Sequence, residues 1–359
     1  VAVVLLLGTI VLTALTSRTI FGLRERVREA VRLGQFTLVE KIGEGGMGVV
    51  WKARHAMLRR PTAIKLLPVE RAGEHNLSRF EREVQLTSSL THPNTVAVYD
   101  YGRTSDGVLY YAMEYLEGID LEGLVEFDGP QPPGRVVHLL RQIAGALEEA
   151  HGVGLIHRDV KPANVLLVSR RGSPDLVKVV DFGLVKSLEA DASTSATGVD
   201  QVIGTPLYMS PESIARPGEV DARSDLYAMG ALGYYLYTGQ PPFTGATAME
   251  VCGHHLHTPP VPPHERLGKP PTLLGSVILR CLEKSPSARP ESALEVARLL
   301  DECRDEAPWT AGDARLWWAS REAALRERRE ERARALSTFD RDRTVAVNWR
   351  AREEAALAS

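Results

Sequence analysis

The glycines of Gly43-Glu44-Gly45-Gly46-Met47-Gly48-Val49-Val50 fit the spacing G-x-G-x-x-G-x-V. A loop that brings backbone N–H groups up to phosphate oxygens leaves no room for side chains, so glycine in this pattern points to a phosphate cradle. Dinucleotide-binding loops share the spacing, but there a helix follows. Here FTLVEKI precedes the loop and VVWKARH follows it, both alternating and β-branched, so it joins two strands and Val50 points to the base side of a bound nucleotide. The next strand carries Ala63-Ile64-Lys65. A lysine among apolar neighbours is costly unless paired. Glu83, eighteen residues on in the helical run RFEREVQL, is its candidate partner. Glu81 lies two positions away and faces the other side of the helix.

The later half supplies His157-Arg158-Asp159-Val160-Lys161-Pro162-Ala163-Asn164, followed by Asp181-Phe182-Gly183. With these in place the chain resembles the protein kinase superfamily, and within it the eukaryotic-like serine/threonine kinases of bacteria. The resemblance covers Phe36 to about Cys303, with motifs in the family's order from the glycine loop to Arg289.

The resemblance implies roles residue by residue. Asp159 is the catalytic base toward a substrate hydroxyl, Lys161 neutralises charge on the transferred phosphoryl group, and Lys65, held by Glu83, grips the α- and β-phosphates. Asn164 and Asp181 are the implied ligands of Mg2+, which prefers carboxylate, amide and phosphate oxygens. ATP would lie against Ile42, Gly43, Glu44, Gly45, Gly46, Met47, Gly48, Val50 and Ala63. Met113 resembles the gatekeeper, Glu114-Tyr115-Leu116 the hinge, and Leu166 the residue that closes the adenine pocket from below. Serine/threonine rather than tyrosine specificity follows from Lys161 in DVKPAN and from Gly204-Thr205-Pro206-Leu207-Tyr208, where Thr205 would hydrogen-bond Asp159 and Lys161. Three positions depart from the family pattern without losing the functional residue: Thr62 opens the lysine motif, Val160 follows the base, and Ser210 opens Ser210-Pro211-Glu212. Glu212 is expected to pair with Arg289, and Asp225 to brace the backbone of the catalytic loop. Arg158 is a cation that a phosphate in the loop after Asp181 would neutralise. The polar run ADASTSATG holds Ser193, Thr194, Ser195 and Thr197, and the expectation is autophosphorylation at Thr194 or Thr197, with self-association of two copies as its route.

The elements that must position these groups follow from the pattern of the chain. Strand-rich sequence runs to about residue 116. Mainly helical sequence follows, broken by short strands such as ANVLLV and LVKVV. The expected fold is α+β and bilobal: a small antiparallel sheet with one main helix over 36–116, and a larger, mostly helical lobe over 117–303. Residues 304–359 read as a charged tail or linker in which Arg321–Arg334 forms a solvated helix, with Trp317 and Trp318 packing back on the domain. Residues 1–17 are almost wholly apolar, slightly short of the ~20 that span a bilayer as a helix. Residues 18–35 read as a basic amphipathic helix carrying Arg18, Arg24, Arg26, Arg28 and Arg32. The expectation is a single-pass anchor in the cell membrane with the kinase domain on the cytoplasmic side.

Composition is that of a soluble globular chain, with 44% hydrophobic and 25% charged residues, and the net charge of −3 speaks against a nucleic-acid partner. Cys252, Cys281 and Cys303 lack paired spacing and read as reduced structural residues. His254, His255 and His257 read as surface or helix-cap histidines rather than metal ligands. Two other functional classes stand against an active kinase. A kinase-fold scaffold would be expected to lose Lys65, Asp159, Asn164 or Asp181. A small-molecule phosphotransferase would be expected to lack the 204–212 platform. A membrane receptor with the kinase as its output is compatible with the reading, and protein Ser/Thr hydroxyls are the expected acceptors.

Overall fold

The computed structural model describes residues 32–33, 35–45, 48–57, 60–67, 74–103, 108–170, 172–182, 206–304 and 308–344. The apolar run 1–17, the arginine-rich stretch through 31, Gly46, Met47, Gly183, Ser193, Thr194, Ser195, Thr197, Gly204 and Thr205 lie outside the described residues. Among the described residues no helix is long and apolar enough to cross a membrane.

The first lobe is one antiparallel sheet in the order β1-β2-β3-β4-β6-β5. Its strands are β1 (Arg32–Leu33), β2 (Phe36–Gly45), β3 (Gly48–His55), β4 (Pro61–Leu66), β5 (Val98–Arg103) and β6 (Leu109–Glu114), with helix α1 (Glu74–Ser89) inserted after β4. β1 corrects the expectation of a helix through residue 35. Arg32 and Leu33 pair with Thr37 and Phe36, because the open edge of β2 satisfies their backbone groups. β4 sits centrally and is apolar on both faces. Ile64 packs with Phe36, Ala53 and Ala112 on one side, while Ala63 packs with Phe80, Val84 and Met113 on the α1 side. Gly48 turns the β2–β3 hairpin at φ 123°, where a Cβ would lie 2.1 Å from the Leu66 carbonyl oxygen. Only glycine fits there.

The second lobe begins with β7 (Gly118–Asp120), α2 (Leu121–Asp128) and α3 (Pro133–Gly152), then the hairpin β8 (Val165–Arg170) and β9 (Ser173–Val179). It continues as α4 (Pro211–Ala215), α5 (Ala222–Thr238), α6 (Ala248–His257), α7 (Pro263–Leu267), α8 (Leu273–Cys281), α9 (Ala293–Glu302) and α10 (Ala311–Thr344). α5 is buried on nearly every side, as expected of a helix apolar all round. It is capped by Asp221 at its start and stopped by Gly239 at φ 78°. Gly230 lets α8 approach it closely, since a Cβ would lie 2.6 Å from Cys281 Cβ.

α10 corrects the picture of a solvated tail. Trp317 and Leu325 enter the core of the second lobe. The arginines reach acids rather than water alone: Arg321 pairs with Asp128, Arg328 with Glu126 and Arg332 with Asp120. A charged helix with few apolar residues docks here because its partner α2 presents complementary acids. His255 is also a correction. It is fully buried, its Nδ1 sharing a hydrogen bond with Tyr227 Oη at 2.8 Å, and burial lowers its pKa to about 4. Among the described residues no group of three or more His, Cys, Asp or Glu side chains is placed to hold a metal ion.

Candidate active site

β4 brings Lys65 into the cleft between the lobes, opposite Val50 on β3 and Tyr111 on β6. The carboxylate at its Nζ is that of Asp181, 2.7 Å away. Burial alone would raise the pKa of Asp181, but the charge of Lys65 and hydrogen bonds from Lys65 and Tyr111 outweigh it and hold the group below the ordinary carboxylate range. Asp181 is therefore an anion in a partly enclosed site. Glu83 lies on α1 and is partly buried, while Glu81 is exposed, so the face chosen from helical spacing is the inward one.

Asp159 and its neighbours come from the loop between α3 and β8. Lys161 Nζ lies 2.8 Å from Asp159 Oδ2. Asn164 Nδ2 donates to the same oxygen at 2.8 Å and to the Asp159 carbonyl at 2.9 Å. Both amide hydrogens are thereby used, which leaves the Asn164 amide oxygen as an acceptor. The loop is bent sharply: Arg158 stands at φ 63°, a conformation that disfavours non-glycine residues. Asp225 on α5 holds it there, its Oδ1 accepting the Arg158 N–H and its Oδ2 the His157 N–H, both at 2.8 Å. His151 Nε2 lies 2.9 Å from the same Oδ2. His157 is fully buried against Phe182, with ring centroids 4.6 Å apart, and its Nε2 lies 3.0 Å from the Val180 carbonyl oxygen. Burial lowers its pKa in spite of the carboxylates of Asp225 and Asp159.

The base side of the cleft is apolar. Ala63 and Met113 are buried in a cluster against which Ile42, Val50, Tyr115, Leu116 and Leu166 pack from both lobes. Gly43, Glu44 and Gly45 pair with Val50, Val49 and Gly48 to bring the hairpin over this cluster. Glu114 contributes more than a backbone. Its side chain pairs with Lys178, at 3.0 Å, and with Arg170, tying the hinge to β8 and β9.

Further out, Glu212 and Arg289 form a bidentate pair at 2.7 and 2.8 Å, and Ser224 Oγ donates to Glu212 Oε1 at 2.5 Å. Burial opposes ionisation of Glu212, but these donors outweigh it and hold the pKa at about 2.

The structure thus joins Lys65 to Asp181 and Asp159 to Lys161 and Asn164, and the Val180 N–H donates to the Asn164 carbonyl oxygen at 3.0 Å, which sets the segments that carry the two groups side by side. It also shows groups that spacing did not single out. Tyr111 Oη donates to Asp181 Oδ1 at 2.6 Å. Its signal in the sequence was only one more aromatic residue in VLYYAMEYL, indistinguishable from core. For Mg2+ the donor set is suitable: one ionised carboxylate and one amide oxygen, both hard, with phosphate and water oxygens to complete the shell.

Comparison with known proteins agrees with this site. The protein kinase domain family matches residues 36–299. The chain is 43% identical over 256 residues to serine/threonine-protein kinase pkn3 of Myxococcus xanthus, covering 70% of this chain and 47% of that protein. It is 41% identical over 266 residues to serine/threonine-protein kinase PknB of Mycobacterium leprae, covering 73% and 42%. The chain therefore spans less than half the length of these relatives. Among solved structures, the kinase domain of Mycobacterium tuberculosis PknI superposes with a TM-score of 0.60 at 29% identity, over 76% of this chain and 97% of that domain. The chain belongs to the protein kinase family, and within it to the eukaryotic-like serine/threonine kinases of bacteria.

Proposed function

We propose that this chain transfers the γ-phosphoryl group of ATP to serine or threonine hydroxyls of proteins, with Asp159 as catalytic base. Two bonded sets support this reading, Lys65 with Asp181 and Asp159 with Lys161 and Asn164, joined through the Val180 N–H on the Asn164 carbonyl oxygen. Two anions, two cations and an amide meet there beside an apolar slot.

Each group has a task that its geometry supports. Lys65 sits on the phosphate side of the slot, with Asp181 as its counter-ion until phosphates bind, and Glu83 is its further partner on α1. Asn164 and Asp181 would hold Mg2+, which offsets charge on the phosphate oxygens when bound. Asp159 takes the proton of the acceptor hydroxyl. The hydroxyl oxygen forms a bond to the γ-phosphorus, the bond to the bridging oxygen breaks, and its electron pair leaves with ADP. Lys161, already on Asp159, is placed to neutralise the transferring phosphoryl group. Such groups act mainly by positioning and charge stabilisation. A scaffold that had abandoned the chemistry would have no need to keep all of these side chains aligned.

The finer parts of the reading rest on sequence. Residues 1–17 anchor the chain in the cell membrane, with the kinase on the cytoplasmic side. Autophosphorylation at Thr194 or Thr197, between two copies, switches it on. Phosphosite mapping of an active preparation tests the second point, and an unmodified 193–197 segment would exclude it.

The deciding experiment incubates the full chain with labelled ATP, Mg2+ and a generic protein acceptor, beside Asp159→Asn. Label on serine or threonine with the first and none with the second is expected. Equal label in both removes Asp159 as the base.

A further inference from the structure

Tyr111 lies directly opposite Lys65 in the β4–β6 register. Opposed residues on antiparallel strands project from the same face. The sheet therefore delivers a phenol and an ammonium side by side, and both meet one carboxylate: Tyr111 Oη at Asp181 Oδ1, 2.6 Å, and Lys65 Nζ at Asp181 Oδ2, 2.7 Å. Tyr111 is 1% exposed, so its hydroxyl has no easy exchange with water. Asp181 needs such support. Its φ is 60°, a left-handed conformation that strains a non-glycine residue by about 1 kcal/mol or more unless its surroundings hold it. A phenol keeps its proton at neutral pH, so the Tyr111 hydroxyl is the donor in this bond. One donor on each carboxylate oxygen still leaves lone pairs toward the cleft.

We propose that Tyr111 is a positioning residue for Asp181, its hydroxyl fixing the carboxylate in the orientation that takes the divalent cation and so setting cation affinity rather than the rate of transfer. This rests on the reading of Asp181 as a metal ligand.

The test is Tyr111→Phe in the full chain, which removes one oxygen and keeps the ring. Mn2+ binding in the presence of ADP, followed by electron paramagnetic resonance, is expected to weaken about tenfold, the lower range for a hydrogen bond to a charged group. Half-saturating Mg2+ for activity rises in parallel. The kcat at saturating metal and the affinity for metal-free ADP stay within about twofold, as expected when only uniform binding is lost. Unchanged Mn2+ affinity in a variant that folds normally overturns the proposal, and so does a lower kcat with cation affinity intact. Asp181→Asn separates the two levels. If it binds Mn2+ as tightly as the parent, the metal-ligand reading itself falls. If it binds weakly while Tyr111→Phe is unaffected, only the role of Tyr111 falls.

Different residues carry a second inference. α10 runs antiparallel along α2, with Arg321 on Asp128 and Arg332 on Asp120, then continues for about three turns and packs against β2. Asp120 stands directly opposite Leu166 in the β7–β8 register, so its side chain shares the face that floors the nucleotide slot. β2 leads into the glycine loop in the roof of that slot. α10 therefore links the Asp120 end of the second lobe to β2 of the first. We infer that docked α10 is an autoinhibitory strap, latched at its cleft end by Arg332 on Asp120, and that nucleotide exchange requires the latch to open.

The probe is a fluorescent ADP analogue mixed with the full chain in stopped flow. Arg332→Glu is expected to speed both association and release about two- to fivefold, the range set by an exposed ion pair. Arg332→Lys, which keeps the charge, restores the parent rates. Unchanged or slower exchange in a normally folded Arg332→Glu overturns the strap.

Discussion

Arg135 and Asp175 face each other bidentately at 2.8 and 2.9 Å, and both side chains are wholly buried. Trp309 Nε1 and Trp318 Nε1 donate to the same carboxylate at 3.0 and 2.7 Å. Trp317 lies over the Arg135 guanidinium, 4.0 Å from ring centroid to Cζ. A pair removed from water this completely is held only by the full set of donors around it. The two ends of the set lie far apart in the chain, on α3 and β9 on one side and before and within α10 on the other. This is why Trp309 and the first turns of α10 belong to the same packed unit.

The first prediction follows from that pair. Asp175→Ala leaves a buried guanidinium without its anion and is expected to cost about 3–5 kcal/mol of unfolding free energy in urea titration. Trp318→Phe removes one donor and keeps most of the packing, so about 1–3 kcal/mol is expected. Equal stability of Asp175→Ala and the parent would show that α10 does not depend on this network.

Asp225 carries the second prediction. Its carboxylate accepts two backbone N–H groups from His157 and Arg158, and Arg158 is in the left-handed region. Without that acceptor the loop relaxes and the carboxylate of Asp159, the proposed base, shifts. Asp225→Asn presents one oxygen and one NH2 group where two acceptors are required. A loss of about tenfold to a hundredfold in kcat is expected, matching one hydrogen bond to a charged group. The KM for ATP should change little, because the base side of the slot is built from other elements. A kcat within twofold of the parent would remove the bracing role.

Much of the site was legible in the chain because the chemistry demands local patterns. A cradle for phosphate must be glycine-rich, so the glycine loop was read from its spacing, whereas Asp159, Lys161 and Asn164 were singled out by the resemblance to the protein kinases because they fall within one short motif. The strand character of FTLVEKI and VVWKARH likewise gave β2 and β3, since alternation is read within a few residues. What escaped depends on register between distant segments. Nothing adjacent to Tyr111 distinguishes it from the packed aromatics around it, and only its pairing opposite Lys65 aims its hydroxyl at Asp181. The arginines of α10 looked solvated for the same reason, since the acids that receive them lie about two hundred residues earlier, on α2 and β7. The buried His255 beneath Tyr227 escaped because a run of histidines followed by prolines looks polar until its helix face is known.

The last prediction concerns pH. Glu212 has a folded-state pKa of about 2 against an ordinary value of 4.5, because Arg289 and Ser224 donate to its ionised form. A depressed carboxylate pKa contributes stability at pH values above the unfolded value and loses it as pH falls toward the folded value. The window is therefore between about pH 4.5 and pH 2, and the contribution above it is about 3 kcal/mol, from roughly 1.4 kcal/mol per pKa unit. Because Glu212 is 4% exposed, screening by water reduces this only modestly. Glu212→Gln keeps the shape but not the charge, so it should lower stability at pH 7 and flatten the acid limb of the stability curve. Arg289→Gln should do the same and also destabilise more strongly, since it leaves the Glu212 anion buried without a cation. Urea unfolding of the three proteins from pH 7 to pH 2.5 measures both effects. Parallel acid limbs in parent and Glu212→Gln would show that other carboxylates, not this pair, set the acid sensitivity of the fold.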